Sequence, residues 1–123
     1  MKIVITSPLK VRKITKIFHY LKDLSTDINI NCSSDGLYAQ GMDSAHVSLF
    51  EINLQQSWFD EYECKEDDII GINCELFYKV ISCIDDNQSI ELTKTKENDN
   101  FNIKLFGRGF EKEFNLNTID LQE

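Results

Sequence analysis

The most constraining feature of this sequence is a change in its hydrophobic period near residue 25. Before that point Ile14, Ile17, Phe18 and Leu21 recur at the helical spacing i, i+3, i+4 and i+7, so they form one apolar stripe. After it, short runs rich in β-branched and aromatic residues alternate with turn residues, which is typical of strands. The pattern predicts an α+β domain in which helices pack on one face of an antiparallel sheet.

The predicted element order is β-α-β-β-β-β-β-α-β-β-β. Ser7 and Pro8 suit the start of the first helix, although the pattern also allows a start as late as Arg12. A second helix is predicted near residues 75–83, from the spacing of Leu76, Phe77, Val80 and Ile81. The predicted strands cover residues 2–6, 27–32, 37–42, 47–54, 62–64, 69–73, 89–95, 101–106 and 110–116. Turn residues at 33–36, 98–100 and 107–109 separate several of them.

Length and composition indicate a single domain of a soluble intracellular protein. The chain has 123 residues, 41% of them hydrophobic, with no apolar run that approaches a membrane span and no signal peptide. Its four cysteines contain no CxxC pair, and only two histidines accompany them, so neither a zinc site nor a disulfide framework is predicted. We expect four reduced thiols, mostly buried, and no cofactor.

The charge distribution is strongly asymmetric. The net charge is −8, yet residues 1–22 carry six basic side chains and no acidic one. The basic side chains of the first helix, Arg12, Lys13 and Lys16, point away from the apolar stripe, while Lys22 lies near its border. Either this is an ordinary solvated helix face, or it is a surface directed at a polyanion. His19 and Tyr20 are predicted to lie on the same helix surface, with nothing in the sequence that requires base stacking.

A motif in the middle of the chain identifies a family resemblance. The stretch from residue 33 to residue 49, and above all Met42-Asp43-Ser44-Ala45-His46-Val47-Ser48-Leu49, resembles a signature of the proliferating cell nuclear antigen (PCNA) family. Further blocks match in order and with nearly constant spacing over essentially the whole chain: residues 21–24, 59–64, 71–73, 79–83 and 117–121. The chain resembles the N-terminal domain of a DNA sliding clamp.

The resemblance implies a non-catalytic protein that encircles duplex DNA. Clamp domains carry two helices on the inside of a ring and sheets outside, normally as three chains of two domains each. Such a ring is a processivity factor for DNA polymerase, recruits other replication and repair proteins, and is opened by a clamp loader. The expected location is the nucleus, or a viral replication compartment if the source is a large DNA virus.

The resemblance also implies which residues face DNA. Lys16, Lys22 and Lys79 match family lysines that contact phosphates, whereas Thr15 stands where many relatives have another lysine. Arg12 and Lys13 are expected to compensate. The family's DNA-binding segment maps onto residues 63–82, but the acidic residues at 66–68 make its first half unsuitable, which leaves Lys79.

Met42, His46, Val47 and Leu49 match the floor of the family's client groove, where partners with PCNA-interacting peptides dock. The alternative is that Val47 and Leu49 fill the core face of a strand. Asp43, Ser44 and His46 include the residue types of a catalytic triad. They are nearly consecutive, however, whereas triad members converge from separate segments, so no catalytic residue is predicted.

The last strand is expected to be a sheet edge that pairs with a neighbouring subunit through Phe110, Lys112 and Phe114. The resemblance divides the chain into a clamp domain, residues 1–117, and the start of an interdomain connecting loop, residues 118–123. A homo-oligomeric ring is expected when a second domain is present. The alternative function is a stand-alone interaction module that binds clamp clients, or caps a full-length clamp, without encircling DNA.

Overall fold

The computed structural model describes residues 1–43, 45 and 47–119, and within them the predicted element order is confirmed. The helices are α1 (Pro8–Leu24) and α2 (Cys74–Ile81), and a short 3₁₀ turn spans Gln56–Trp58. The strands, in chain order, are β1 (Lys2–Ile5), β2 (Asp27–Ser33), β3 (Gly36–Met42), β4 (Leu49–Gln55), β5 (Glu61–Glu63), β6 (Asp68–Asn73), β7 (Ser89–Thr93), β8 (Asn100–Gly107) and β9 (Phe110–Asn117).

The strands divide into two antiparallel sheets. One has the order β5-β1-β7-β8-β9 and the other the order β4-β3-β2-β6. The short first strand lies inside the first sheet, where Ile3 is opposite Tyr62 on one side and Leu92 on the other. The sequence pattern predicted the strands but not this division, because it carries no label for which strand pairs with which.

One hydrophobic core joins both sheets to both helices. Helix α1 buries Val11, Ile14, Phe18 and Leu21, so the predicted stripe is confirmed, with Ile17 half-buried at its border. The two helices meet through Phe18 and Phe77, whose ring centroids lie 4.5 Å apart. None of the helices in the described residues is long and apolar enough to cross a bilayer.

Helix α2 departs from prediction at one position. Leu76 was expected in its apolar stripe, but 47% of Leu76 is exposed. Cys74, Phe77, Val80 and Ile81 form the buried arc instead. At about 100° per residue Leu76 falls outside that arc, so its side chain cannot reach the core.

The start of α1 is also settled by the structure. The helix begins at Pro8, the earlier of the two predicted starts, but the Ser7 side chain makes no capping hydrogen bond. The free backbone amides of Thr6 and Ser7 donate instead to Asp60 Oδ2, at 2.6 and 3.4 Å. These bonds hold the pKa of Asp60 below its ordinary value.

The cysteines are reduced, but only Cys32 and Cys74 are buried, so the expectation that most would be buried is wrong. Cys64 is half-buried and Cys83 is exposed. Cys32 Sγ lies 3.1 Å from Cys64 Sγ and 3.4 Å from the Tyr62 hydroxyl. These two contacts join the two sheets. Burial raises the pKa of Cys32 to about 12.

Candidate nucleic-acid interface

The solvent side of α1 carries a row of cations. Arg12, Lys13 and Lys16 are all exposed, on the opposite side from the buried stripe. Within the part of the chain that the structure describes, none of the three lies within ion-pair distance of a carboxylate. Thr15 donates its hydroxyl to the carbonyl of Val11 at 2.8 Å, so it is occupied by its own helix. The row therefore presents uncompensated positive charge to solvent.

A second group of cations forms where α1 meets α2. Lys22 and Lys79 come from different helices and line one open pocket with Asp23, Glu75 and Tyr78. Here each lysine has an acidic neighbour. Lys22 Nζ is 3.1 Å from Asp23 Oδ1, and Lys79 Nζ is 3.5 Å from Glu75 Oε1. Both pairs are solvent-accessible and therefore contribute little to stability, so a phosphate can compete for either lysine.

Tyr78, which lines this pocket, also contacts an aromatic residue of α1. His19 lies edge-on to Tyr78 of α2, with centroids 5.2 Å apart, and to Tyr20 of α1, at 6.0 Å. Lys22 Nζ sits 5.7 Å from the centre of the Tyr78 ring. The sequence interpretation did not single out Tyr78. The available signal was its position beside Lys79 on a short helix.

The five residues predicted to face DNA, Arg12, Lys13, Lys16, Lys22 and Lys79, thus lie on α1 and α2. The acidic segment at residues 66–68 belongs to different surroundings. Asp68 Oδ2 pairs with the buried Lys94 at 2.9 Å, and that pair ties the start of β6 to the residue after β7. Glu66 lines a pocket with Lys94 and Lys96, and this pocket shares no lining residue with the pocket of Lys22 and Lys79.

Three of the four residues predicted for the client groove lie in the described part of the chain, and all three are exposed. Met42 is 43% exposed, Val47 83% and Leu49 68%, so Val47 and Leu49 do not fill the core. Met42 lies directly opposite Leu49 at the end of the β3–β4 pair that the connecting loop closes, and β4 is a sheet edge. Strand β4 begins at Leu49 rather than at the predicted residue 47.

Asp43 shapes the loop between these strands. Its carboxylate accepts hydrogen bonds from the backbone amides of Val47, at 2.8 Å, and Ser48, at 3.1 Å. Asp43 therefore acts as a turn-forming side chain there. Ser44 and His46 lie outside the described residues, so the placement of His46 in the groove stays a prediction.

Strand β9 is an edge of the five-stranded sheet, as its sequence predicts. Phe110 is 58% exposed, whereas Phe114 is half-buried against the core. Lys112 Nζ donates to the carbonyl of Cys83 and lies 3.4 Å from Asp85 Oδ2, so it holds β9 to the segment that follows α2.

Comparison with known proteins agrees with this architecture. The chain matches the family "Proliferating cell nuclear antigen, N-terminal domain" over residues 9–123. It is similar to Proliferating cell nuclear antigen 2 of Plasmodium falciparum, with 34% identity over 69% of this chain and 32% of the relative. A probable DNA polymerase sliding clamp 2 of Paramecium bursaria Chlorella virus 1 is 28% identical over 89% of this chain and 40% of the relative.

Among solved structures, the crystal structure of a PCNA2–PCNA3 complex from Sulfolobus tokodaii superposes with a TM-score of 0.89 at 27% identity. The match covers all of this chain and 48% of the other. The chain thus spans less than half the length of these relatives. The matched range, the fold and the sequence similarity together show that the chain belongs to the proliferating cell nuclear antigen family of sliding clamps, as a domain of the N-terminal type.

Proposed function

We propose that this chain is the DNA-facing and client-binding part of a sliding clamp that encircles duplex DNA. The observation that carries the proposal is the cationic side of α1 and α2, formed by Arg12, Lys13, Lys16, Lys22 and Lys79, in a chain whose net charge is −8. Phosphate contacts from such side chains are independent of sequence and sensitive to salt. They let a ring slide, and the acidic remainder of the chain disfavours DNA on other surfaces. The role is one of tethering, without catalysis.

Recruitment of partners is assigned to the exposed end of the β3–β4 pair. Met42, Val47 and Leu49 expose apolar surface beside an edge strand, and His46 is expected to complete it. Apolar anchors of a peptide bind where such side chains converge. The expected partners are DNA polymerase and other proteins with PCNA-interacting peptides.

Assembly is assigned to the free edge of β9, with Phe110, Lys112 and Phe114 at the subunit interface. An edge strand offers unpaired backbone groups to a neighbouring chain. Residues 118–119 then begin the connecting loop, and the rest of that assignment, residues 120–123, lies outside the described residues. A clamp loader, and a nuclear or viral replication compartment, follow from the same proposal.

The decisive test is the salt dependence of duplex binding after charge reversal at Lys16, Lys22 and Lys79. Each lost phosphate contact lowers the slope of log K against log salt by about 0.9, so the triple variant should lose about 2.7. The matched control reverses Lys65, Lys96 and Arg108, which are exposed elsewhere and give the same change in net charge. An unchanged slope in the first variant, or equal losses in both, contradicts the assignment.

The groove is tested by NMR titration with a peptide of the pattern Gln-x-x-hydrophobic-x-x-aromatic-aromatic. Resonances of Met42, Val47 and Leu49 should shift as the peptide is added. Shifts confined to other surfaces would refute the mapping. Peptide binding without any duplex binding would favour a stand-alone interaction module over a clamp.

A further inference from the structure

Three aromatic side chains form a continuous row on the cationic surface. Tyr20, His19 and Tyr78 follow one another at centroid distances of 6.0 and 5.2 Å and cross from α1 to α2. Tyr20 is 58% exposed, His19 is exposed, and Tyr78 is half-buried. Tyr78 is accounted for by its packing against the core, but Tyr20 and His19 leave ring surface in solvent beside the cations, where a ligand can reach it.

Cations surround the row on both sides. Lys16 precedes His19 by three residues and Tyr20 by four, which places these side chains on neighbouring positions of one helix face. Lys22 lies over the Tyr78 ring at 5.7 Å, and Lys79 borders the same pocket. Aromatic rings between cations form the surface that single-stranded nucleic acid recognises, since bases stack on the rings while phosphates pair with the charges.

Duplex DNA cannot stack on such a row. Its bases are paired and stacked inside the helix, so a side chain on the protein surface reaches sugar and phosphate, where a tyrosine hydroxyl can at most add a hydrogen bond. The ring faces are not used by a duplex. Unpaired bases, in contrast, can turn outward and stack on an aromatic side chain.

We propose that Tyr20, His19 and Tyr78 form a stacking site for the unpaired bases of single-stranded DNA. Lys16, Lys22 and Lys79 hold its phosphates. The proposal deepens the proposed function, because the same face would meet a duplex inside a clamp. The cationic face would then bind DNA in a second way, in which a single-stranded segment is held through its bases. Tyr20 is the principal ring, because it is more exposed than Tyr78.

The test compares an oligothymidylate of about 16 nucleotides with a duplex of the same length, by fluorescence anisotropy on the 123-residue chain at several salt concentrations. Tyr20→Ala should weaken oligothymidylate binding at least about fivefold, which is the lower bound for one lost stacking contact. Its salt slope should not change, because no phosphate contact is lost. Duplex binding should also stay the same.

Two further variants sharpen the result. Tyr20→Phe keeps the ring and should retain the parent affinity. Phe110→Ala removes a ring of equal exposure, 58%, from β9 and should also bind like the parent. Both sites are exposed, so the variants fold.

The proposal is overturned if the parent chain does not bind oligothymidylate at low salt. It is equally overturned if Tyr20→Ala binds as the parent does, or if single-stranded and duplex affinities fall together. Failure of the clamp assignment has a different signature, because it appears in the salt slope of the lysine variants on duplex DNA. The two hypotheses therefore fail independently.

Discussion

Helices α1 and α2 pack against each other through Phe18 and Phe77, yet they begin in opposite ways. Helix α2 carries its own start signals. Asn73 Oδ1 accepts from the amide of Leu76 at 2.9 Å, and Glu75 supplies a negative charge in the first turn. Helix α1 has no acidic residue in its first turn, and its preceding amides are satisfied by Asp60, more than 50 residues away.

The solvent side of α1 fits the absence of an acidic residue from its first turn. This helix spans 17 residues and carries cations on its exposed side, which we propose to meet duplex DNA. An acidic first turn would stabilise the helix but would place negative charge on that surface. Asp60, from the segment before β5, binds the two amides that precede the helix, and its carboxylate stays with those amides. The cationic side of α1 and the carboxylate beside its start are thus supplied by different parts of the chain.

The largest expected loss of stability comes from removing the ring contact that joins the two helices. Phe77 packs on Phe18 and also stacks on Phe101, with centroids 5.8 Å apart and planes at 5°. We expect Phe77→Ala to lower the free energy of unfolding by about 3–5 kcal/mol, measured by urea denaturation. The exposed neighbour serves as control, since Leu76→Ala should cost less than about 0.5 kcal/mol. Equal losses would show that the ring contact does not anchor α2.

The loss of stability at alkaline pH distinguishes α2 from α1, because α2 begins with a buried thiol and α1 does not. Burial, with the nearby charge of Asp27, raises the pKa of Cys74 from 9.0 to about 11. The folded state keeps this proton while the unfolded chain releases it, so stability present below pH 9 is lost as the pH rises towards 11. The loss is at most about 1.4 kcal/mol for each pH unit.

Cys74→Ala should reduce this loss, measured as the free energy of unfolding at pH 8, 9 and 10. Leu9→Ala in α1 changes an exposed side chain that has no titratable group and should leave the pH dependence as in the parent. The buried Cys32 contributes the same remaining slope to all three proteins. If Cys74→Ala retains the full alkaline loss, the assignment to the start of α2 is wrong.

Removing the Asp60 carboxylate and removing the Asn73 cap should lower stability by similar amounts at neutral pH and by different amounts in acid. Asp60→Ala and Asn73→Ala should each lower stability by about 1 kcal/mol at pH 7. The folded-state pKa of Asp60 is lowered, mainly by the Thr6 amide, so its contribution is present above the ordinary value and is lost as pH falls through the lower one. The Asn73 cap has no charge to titrate.

Thermal denaturation at pH 7 and at pH 3 checks this contrast. The loss of stability caused by Asp60→Ala should be smaller at pH 3 than at pH 7, whereas the loss caused by Asn73→Ala should be the same at both. Two costs with the same pH dependence would mean that Asp60 does not act through its carboxylate. The proposed role of the Asp60 carboxylate at the start of α1 would then lose its support.

The smallest expected effect concerns the Glu75–Lys79 pair on α2. It is an exposed pair at i, i+4, so Glu75→Gln should cost only about 0.3–0.5 kcal/mol of stability. The same change frees Lys79 for phosphate and should tighten duplex binding at low salt. Glu97→Gln, exposed and remote from α2, is the control for net charge. Weaker duplex binding by Glu75→Gln would contradict the competition between Glu75 and phosphate.

Much of the site was predictable because helical position is a local property. The spacing of Ile14, Phe18 and Leu21 fixes which side of α1 is buried, so the placement of Lys16 in solvent followed directly. Tyr78 was missed for the opposite reason. Its proximity to His19 and Lys22 arises where two helices meet, and no spacing along the chain encodes that distance.

The sequence by itself determined the element order, the buried stripe of α1, the cationic solvent side of that helix and the family motif around Met42. Only the tertiary structure decided the division into two sheets, the contact of Asp60 with the amides before α1, the exposure of Leu76 and the aromatic row. Periodicity and charge repeat within a few residues and can be read locally. Backbone pairing between strands uses the same chemical groups at every position, so which segments meet is fixed by packing the whole chain.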